Sequence, residues 1–150
     1  MDLSYNNISE ITGLDGLFIQ ELALRGNQLT SLVGIESLSC LTTLDIAYNK
    51  ISSLEPLHSC LELNYLDASN NDLSRIRELN PLSQLEWLRK LIIVHNPCCN
   101  KKFYRSRVIY RIPQLIELDS TNVSAEDKIA AMNLYSSQNG DKEMRKYVFE

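Results

Sequence analysis

Asp45 and Asp67 stand 22 residues apart in matching contexts, Leu44-Asp45-Ile46 and Leu66-Asp67-Ala68. If those triplets lie on neighbouring strands, the carboxylates sit side by side, about 5 Å apart at the backbone. Such a pair can raise one pKa and serve as acid and base. The plainer reading is a solvated acidic strip, because nothing else in the sequence completes a catalytic set. There are two histidines, His58 and His95, no Gly-x-Ser-x-Gly, no glycine loop for phosphate and no His-Glu pair at zinc spacing. The four cysteines, Cys40, Cys60, Cys98 and Cys99, include no pair separated by two residues, so neither a metal nor any other cofactor is expected. The sequence reads as non-enzymatic.

What makes Asp45 and Asp67 equivalent is an internal repeat. Asn6, Asn27, Asn49, Asn71 and Asn96 follow one another at intervals of 21, 22, 22 and 25 residues. Each closes a similar pattern: Leu22-Ala-Leu24-Arg-Gly-Asn27, Leu44-Asp-Ile46-Ala-Tyr-Asn49, Leu66-Asp-Ala68-Ser-Asn-Asn71 and Leu91-Ile-Ile93-Val-His-Asn96, with a partial copy at Leu3-Ser-Tyr-Asn6. Apolar residues two apart point to one side of a strand and the residues between them to the other. An asparagine three positions on can satisfy the backbone of a tight turn, and stacked copies predict a ladder of such amides. Beyond each asparagine the apolar residues step by three, as in Ile51, Leu54, Leu57, Cys60 and Leu63. That period suits 3₁₀ or irregular turns better than a long helix. Leu82, Leu85 and Leu88 add one step to the longest interval.

The pattern resembles the leucine-rich repeat, and its length and downstream run resemble the 22-residue intracellular subclass named after a regulatory subunit of protein phosphatase 1. The resemblance implies an α/β fold: a right-handed solenoid with a parallel sheet on the concave face, short 3₁₀ or irregular turns on the convex face and a helical C-terminal cap. The segment from Asn96-Pro-Cys to Pro113-Gln-Leu115-Ile-Glu-Leu118-Asp119 is similar to that cap. Its helix is expected to lay Phe103, Val108 and Ile112 over the last repeat while Lys101, Lys102, Arg105 and Arg107 stay in water. Pro113 stops the helix, Leu115 and Leu118 supply a last strand, and Asp119 a turn. Ser124-Ala-Glu126-Asp127 has the form of a capping box and predicts a further helix with Ile129, Met132 and Tyr135 on one face. A polar break over 136–141 precedes one more helix from Lys142. The organisation expected is repeats over 1–97, the first truncated, a cap over 98–123 and a helical extension over 124–150. Because Met1 falls on a strand position, the N-terminus reads as a truncation or fragment, and self-association through the uncapped end is an expectation.

A net charge of −4 and a pI near 5.2 argue against general nucleic-acid binding, which needs a basic face. No run of about 18 apolar residues offers a membrane span, and the N-terminus lacks the basic and apolar regions of a signal peptide. Cys60 and Cys98 fall where the repeat places Leu or Ile, so they read as reduced thiols packed as small hydrophobes. Secreted proteins of the resembled family usually carry cysteine-rich caps, and their absence favours an intracellular site.

The outward positions of the strands should therefore carry function. Early strands present acids and small polar groups, whereas the last presents Ile92 and Val94. Leaving two β-branched residues in water forgoes about 1.5–3 kcal/mol each, which points to a partner protein seated on the concave face. The expected site is Arg25, Asp45, Tyr48, Tyr65, Asp67, Lys90, Ile92, Val94 and His95. The alternative is that the cap or the C-terminal segment folds over this strand and buries Ile92 and Val94 internally. A basic contact through Lys101, Lys102 and Arg105 is weighed against a merely solvated helix face. The first expectation is a scaffold or adaptor in a ciliary, centrosomal or other cytoskeletal assembly in the cytoplasm. A nuclear RNA-processing component, or a regulatory subunit of an enzyme such as a phosphatase, is the alternative.

Overall fold

The computed structural model describes residues 1–136; the helix expected from Lys142, and the polar break beyond Ser136, lie outside them. The frame is a six-stranded sheet of β1 (Glu21–Ala23), β2 (Thr43–Asp45), β3 (Tyr65–Asp67), β4 (Lys90–Ile92), β5 (Glu117–Leu118) and β6 (Thr121–Asn122), in sequence order. β1 to β5 run parallel with Leu22, Leu44, Leu66, Leu91 and Leu118 in register, and β6 turns back antiparallel on β5. The opening copy joins through a single parallel bridge, Asp2 to Ala23.

Each turn of the solenoid follows from the repeat. The strand leucine and the apolar residue two further on are buried, Leu44 and Ile46 being fully so. One residue before each asparagine the backbone turns left-handed, at Tyr5, Gly26, Tyr48, Asn70 and His95, with φ between 53° and 67°. This conformation is strained for all but glycine, so the asparagine that follows must hold it. Asn49 does so from both ends. Its amide donates to Ile46 O and to Leu24 O of the preceding turn, each at 3.0 Å, while its Oδ1 accepts from Leu29 N at 2.9 Å. Asn27, Asn71 and Asn96 repeat that bridge. Asn6 is exposed and bonds within its own turn, to Leu3 O and Ser4 O. The chain then crosses the convex side in 3₁₀ turns at Ile35–Ser37, Glu55–Ser59, Ile76–Gln84 and Pro97–Asn100. The nine-residue turn Ile76–Gln84 accommodates the longer interval. Cys60 and Cys98 are fully buried in the apolar core.

The cap departs from expectation in three places. Helix α1 (Tyr104–Arg111) buries Val108 and Ile109, and Ile112 beyond its end, but Phe103 is 39% exposed. Phe103 precedes the helix in a left-handed conformation, φ 57°, so helical spacing does not govern where its ring points. Tyr104 takes the inward role, donating to Asp119 Oδ2 at 2.6 Å, and Asp119 Oδ1 accepts from Ile93 N at 2.8 Å. Secondly, Arg107 is 2% exposed rather than wet, and its Nε has no hydrogen-bond partner among the described residues. A long aliphatic stem lets an arginine fill an apolar gap in this way. Thirdly, helix α2 (Ala125–Ser136) begins with the expected box, Ser124 Oγ accepting from Asp127 N and Asp127 Oδ2 from Ser124 N, yet it buries Ala131. Ile129 and Met132 are more than half exposed. Contacts of α2 on α1 include the ion pair of Arg105 with Asp127, the stacked rings of Tyr110 and Tyr135, 3.7 Å apart, and Arg111 Nη1 donating to Tyr135 OH at 2.7 Å.

Candidate protein-binding face

Strand register sets the concave side chains in rows. One row holds Glu21, Thr43, Tyr65, Lys90 and Glu117, and a second Ala23, Asp45, Asp67 and Ile92. The backbone bonds Gly26 N to Ala47 O, Tyr48 N to Ser69 O and Asn70 N to Val94 O continue the ladder, so Arg25, Ala47, Ser69 and Val94 form a third.

Asp45 and Asp67 do lie side by side, but they do not form an open carboxylate pair. Arg25 spans both: its Nε donates to Asp45 Oδ2 at 2.8 Å and its Nη2 to Asp67 Oδ2 at 2.7 Å. The hydrogen bond to Asp45 holds the Arg25 guanidinium above its ordinary pKa, against the opposing effect of burial. Asp67 is buried and takes two further bonds at Oδ1, from Ser69 N at 3.0 Å and Ser69 Oγ at 2.6 Å; Asp45 Oδ1 accepts from Ala47 N. Carboxylates bonded in this manner hold the arginine in one orientation across two strands. Asp67, expected on the open face, is thus buried, as are Ala47 and Ser69 of the third row. Tyr48 is exposed, with the Arg25 guanidinium 5.4 Å from its ring centre, an arrangement that favours cation–π attraction.

Towards the cap the face turns apolar. Tyr65 is half-buried, and burial, assisted by Asp67 and Asp45, pushes its hydroxyl above the usual pKa. Lys90 pairs with Glu117 at 3.2 Å. Ile92 and Val94 are each half-buried, so the cap leaves part of both open. Val94 and the exposed His95 line a cleft of about 670 Å³, together with Asp72, Cys99, Tyr104 and Asp119 among others. The Tyr104 hydroxyl is held far above its ordinary pKa by burial and by Asp119.

The three candidate basic residues separate. Lys101 and Lys102 are exposed, Lys102 with its ammonium 5.1 Å from the Phe103 ring centre. Arg105 is instead committed internally: its guanidinium donates to Leu118 O, to Asn122 O and to Asp127 Oδ2 at 3.0 Å. Sequence reasoning also passed over a second set of outward residues. Phe18 is 89% exposed and Trp87 57%, and each stands three residues before a strand, at the same repeat position. Aligning the repeats on the strands and reading the positions before them would have found both.

The leucine-rich repeat family model matches residues 1–148. The U2 small nuclear ribonucleoprotein A' proteins of Homo sapiens and Mus musculus are each 38% identical to the chain over 61 residues, 41% of this chain and 24% of theirs. The chain thus spans about a quarter of the length of these curated relatives. A chain of the Drosophila melanogaster SNF/U2A' complex superposes with a TM-score of 0.85 at 26% identity, over 97% of this chain and 86% of that one. A leucine-rich-repeat protein of Leptospira interrogans gives 0.66 at 27% identity, over 78% and 30%. Asparagine ladder, parallel strands and family match agree, and the chain belongs to the leucine-rich-repeat family.

Proposed function

We propose that the concave face holds a segment of a partner protein, without chemistry of its own, inside a nuclear RNA-processing assembly. The partner sits on Ile92, Val94 and Tyr65, while Arg25, Asp45 and Tyr48 fix its register and Lys90 and His95 border it. The half-buried pair Ile92 and Val94, partly open on a face that carries Arg25, Asp45 and Lys90, is the observation that carries this reading. Apolar and aromatic anchors within a polar rim supply most of the binding energy at such centres. The nuclear setting rests on the likeness to U2A', whose solved relative is a complex with SNF. That likeness favours RNA processing over a ciliary, centrosomal or cytoskeletal scaffold and over a phosphatase regulator.

The test compares proteins captured from nuclear extract by the wild-type chain with those captured by Ile92→Asp and Val94→Asp. The expected outcome is loss of ribonucleoprotein components by at least tenfold, equivalent to about 1.4 kcal/mol, with circular dichroism and melting temperature nearly unchanged. Variants that unfold would show the two side chains to be internal packing. Capture of tubulin or ciliary components by the wild type would move the assembly to the cytoskeleton.

A further inference from the structure

Charge on the concave face is matched over its middle strands and unmatched where the face meets the cap. Arg25 bridges Asp45 and Asp67, and Lys90 pairs with Glu117. The cleft of about 670 Å³ beside Val94 is different: Asp72 and Asp119 line it, and no lysine or arginine does. Lys101 and Lys102 follow its lining residue Asn100 in the chain, yet neither belongs to its wall. Asp72 is exposed and joins no ion pair among the described residues. Asp119 accepts from neutral donors, Ile93 N at 2.8 Å and the Tyr104 hydroxyl at 2.6 Å. Such donors orient a carboxylate without cancelling its charge, and each oxygen keeps a lone pair for another donor. Burial and Asp119 keep Tyr104 protonated, so it stays neutral.

The remaining lining selects the kind of side chain that enters. Val94, Pro97, Cys99 and Tyr104 give the same cleft apolar surface. A lysine or arginine has the matching form, an aliphatic stem that packs on apolar surface and a cationic head. An acidic side chain would meet like charge there. Val94 belongs to the third concave row and to the cleft alike, so the two surfaces are continuous. We propose that the partner segment seated on Ile92 and Val94 is basic and extends a lysine or arginine side chain into this cleft, towards Asp72 and Asp119. This subsite rests on the concave-face function proposed above and fixes the charge of the partner.

The probes are short amphipathic peptides of leucine and glutamine in which one lysine is moved through successive positions, with the peptide lacking lysine as reference. Cys99 lines the cleft and reports its occupancy through protection from maleimide, while the half-buried Cys40, between β1 and β2 in the chain, reports general shielding. At one register the lysine should tighten binding about fivefold, the range of a partly exposed ion pair, and protect Cys99 while Cys40 stays reactive. Asp72→Asn should abolish that gain, whereas Glu62→Gln, which removes an exposed carboxylate outside the cleft, should change nothing. Equal binding at every lysine position, no binding, equal losses in the two variants, or binding that leaves Cys99 reactive would overturn the proposal. Binding weakened by Ile92→Asp but indifferent to lysine and to Asp72→Asn would overturn the cleft and sustain the concave site. Lysine-dependent protection of Cys99 that survives Ile92→Asp would detach the cleft from the concave site, and so overturn the proposal from the other side.

Discussion

Asn49 shows how one side chain holds both the local turn and the stack. It fastens the left-handed bend at Tyr48 through Ile46 O and reaches one turn back to Leu24 O and Leu29 N, all within the core. Replacing it by alanine leaves those groups in apolar surroundings where water cannot compensate, at about 1–3 kcal/mol for each unsatisfied group. Asn49→Ala is therefore expected to lose about 3 kcal/mol in urea denaturation, with a weaker secondary effect on binding. Asn6→Ala should lose well under half of that, because Asn6 is exposed and bonds only within its own turn. Spacing made all five asparagines visible in the sequence. What spacing could not reveal is that Arg25 reaches two strands away to bridge Asp45 and Asp67. Such a contact depends on side-chain length across the sheet, and the pattern along each strand does not encode it.

The strands and 3₁₀ turns were legible because each is set by a short period repeated in register, whereas the cap is a single copy. Without repetition to average over, hydrophobicity misplaced Phe103, Arg107, Ile129 and Met132. In α2 the small Ala131 is what packs, its size allowing close approach, and the larger Ile129 and Met132 remain outside. The junction of α2 with the cap depends on Arg105, which links Asn122 O to Asp127. The hydrogen bond from Arg105 holds the Asp127 carboxyl below its usual pKa. A carboxylate depressed in the folded state contributes above its unfolded pKa, near 3.9, and that contribution is lost as pH falls through the lower folded value. Because both side chains keep about a third of their surface in water, solvent screening makes the effect modest. Hydrogen exchange should show α2 amides opening a few-fold faster below about pH 4. Arg105→Ala should produce the same change at neutral pH and leave β2 and β3 protected. Acceleration throughout the sheet would mean that α2 and the repeats open together.

A solenoid's turns touch only their neighbours, so its cooperativity depends on how strongly adjacent turns are coupled. Here one apolar cluster runs from Ile11 to Ala131, and asparagine bridges and the parallel ladder cross every junction from β1 to β4. Coupling of that density in so short an array predicts unfolding as one unit. The four thiols can read this out. Cys40 and Cys99 are half-buried, whereas Cys60 and Cys98 are closed to solvent. Burial pushes the Cys60 thiol up to about 11, and the contact with Cys99, together with burial, raises Cys98 as well. At pH 8 a maleimide pulse should therefore label Cys40 and Cys99 in the native chain and spare the other two. Along a urea series Cys60, in the middle of the stack, and Cys98, at the cap, should become reactive at the same midpoint, coincident with loss of the circular dichroism signal. An earlier midpoint for Cys98 would show the cap opening ahead of the repeats. The rigid curve presented to a partner would then depend on the turns before Asn96 and not on α1.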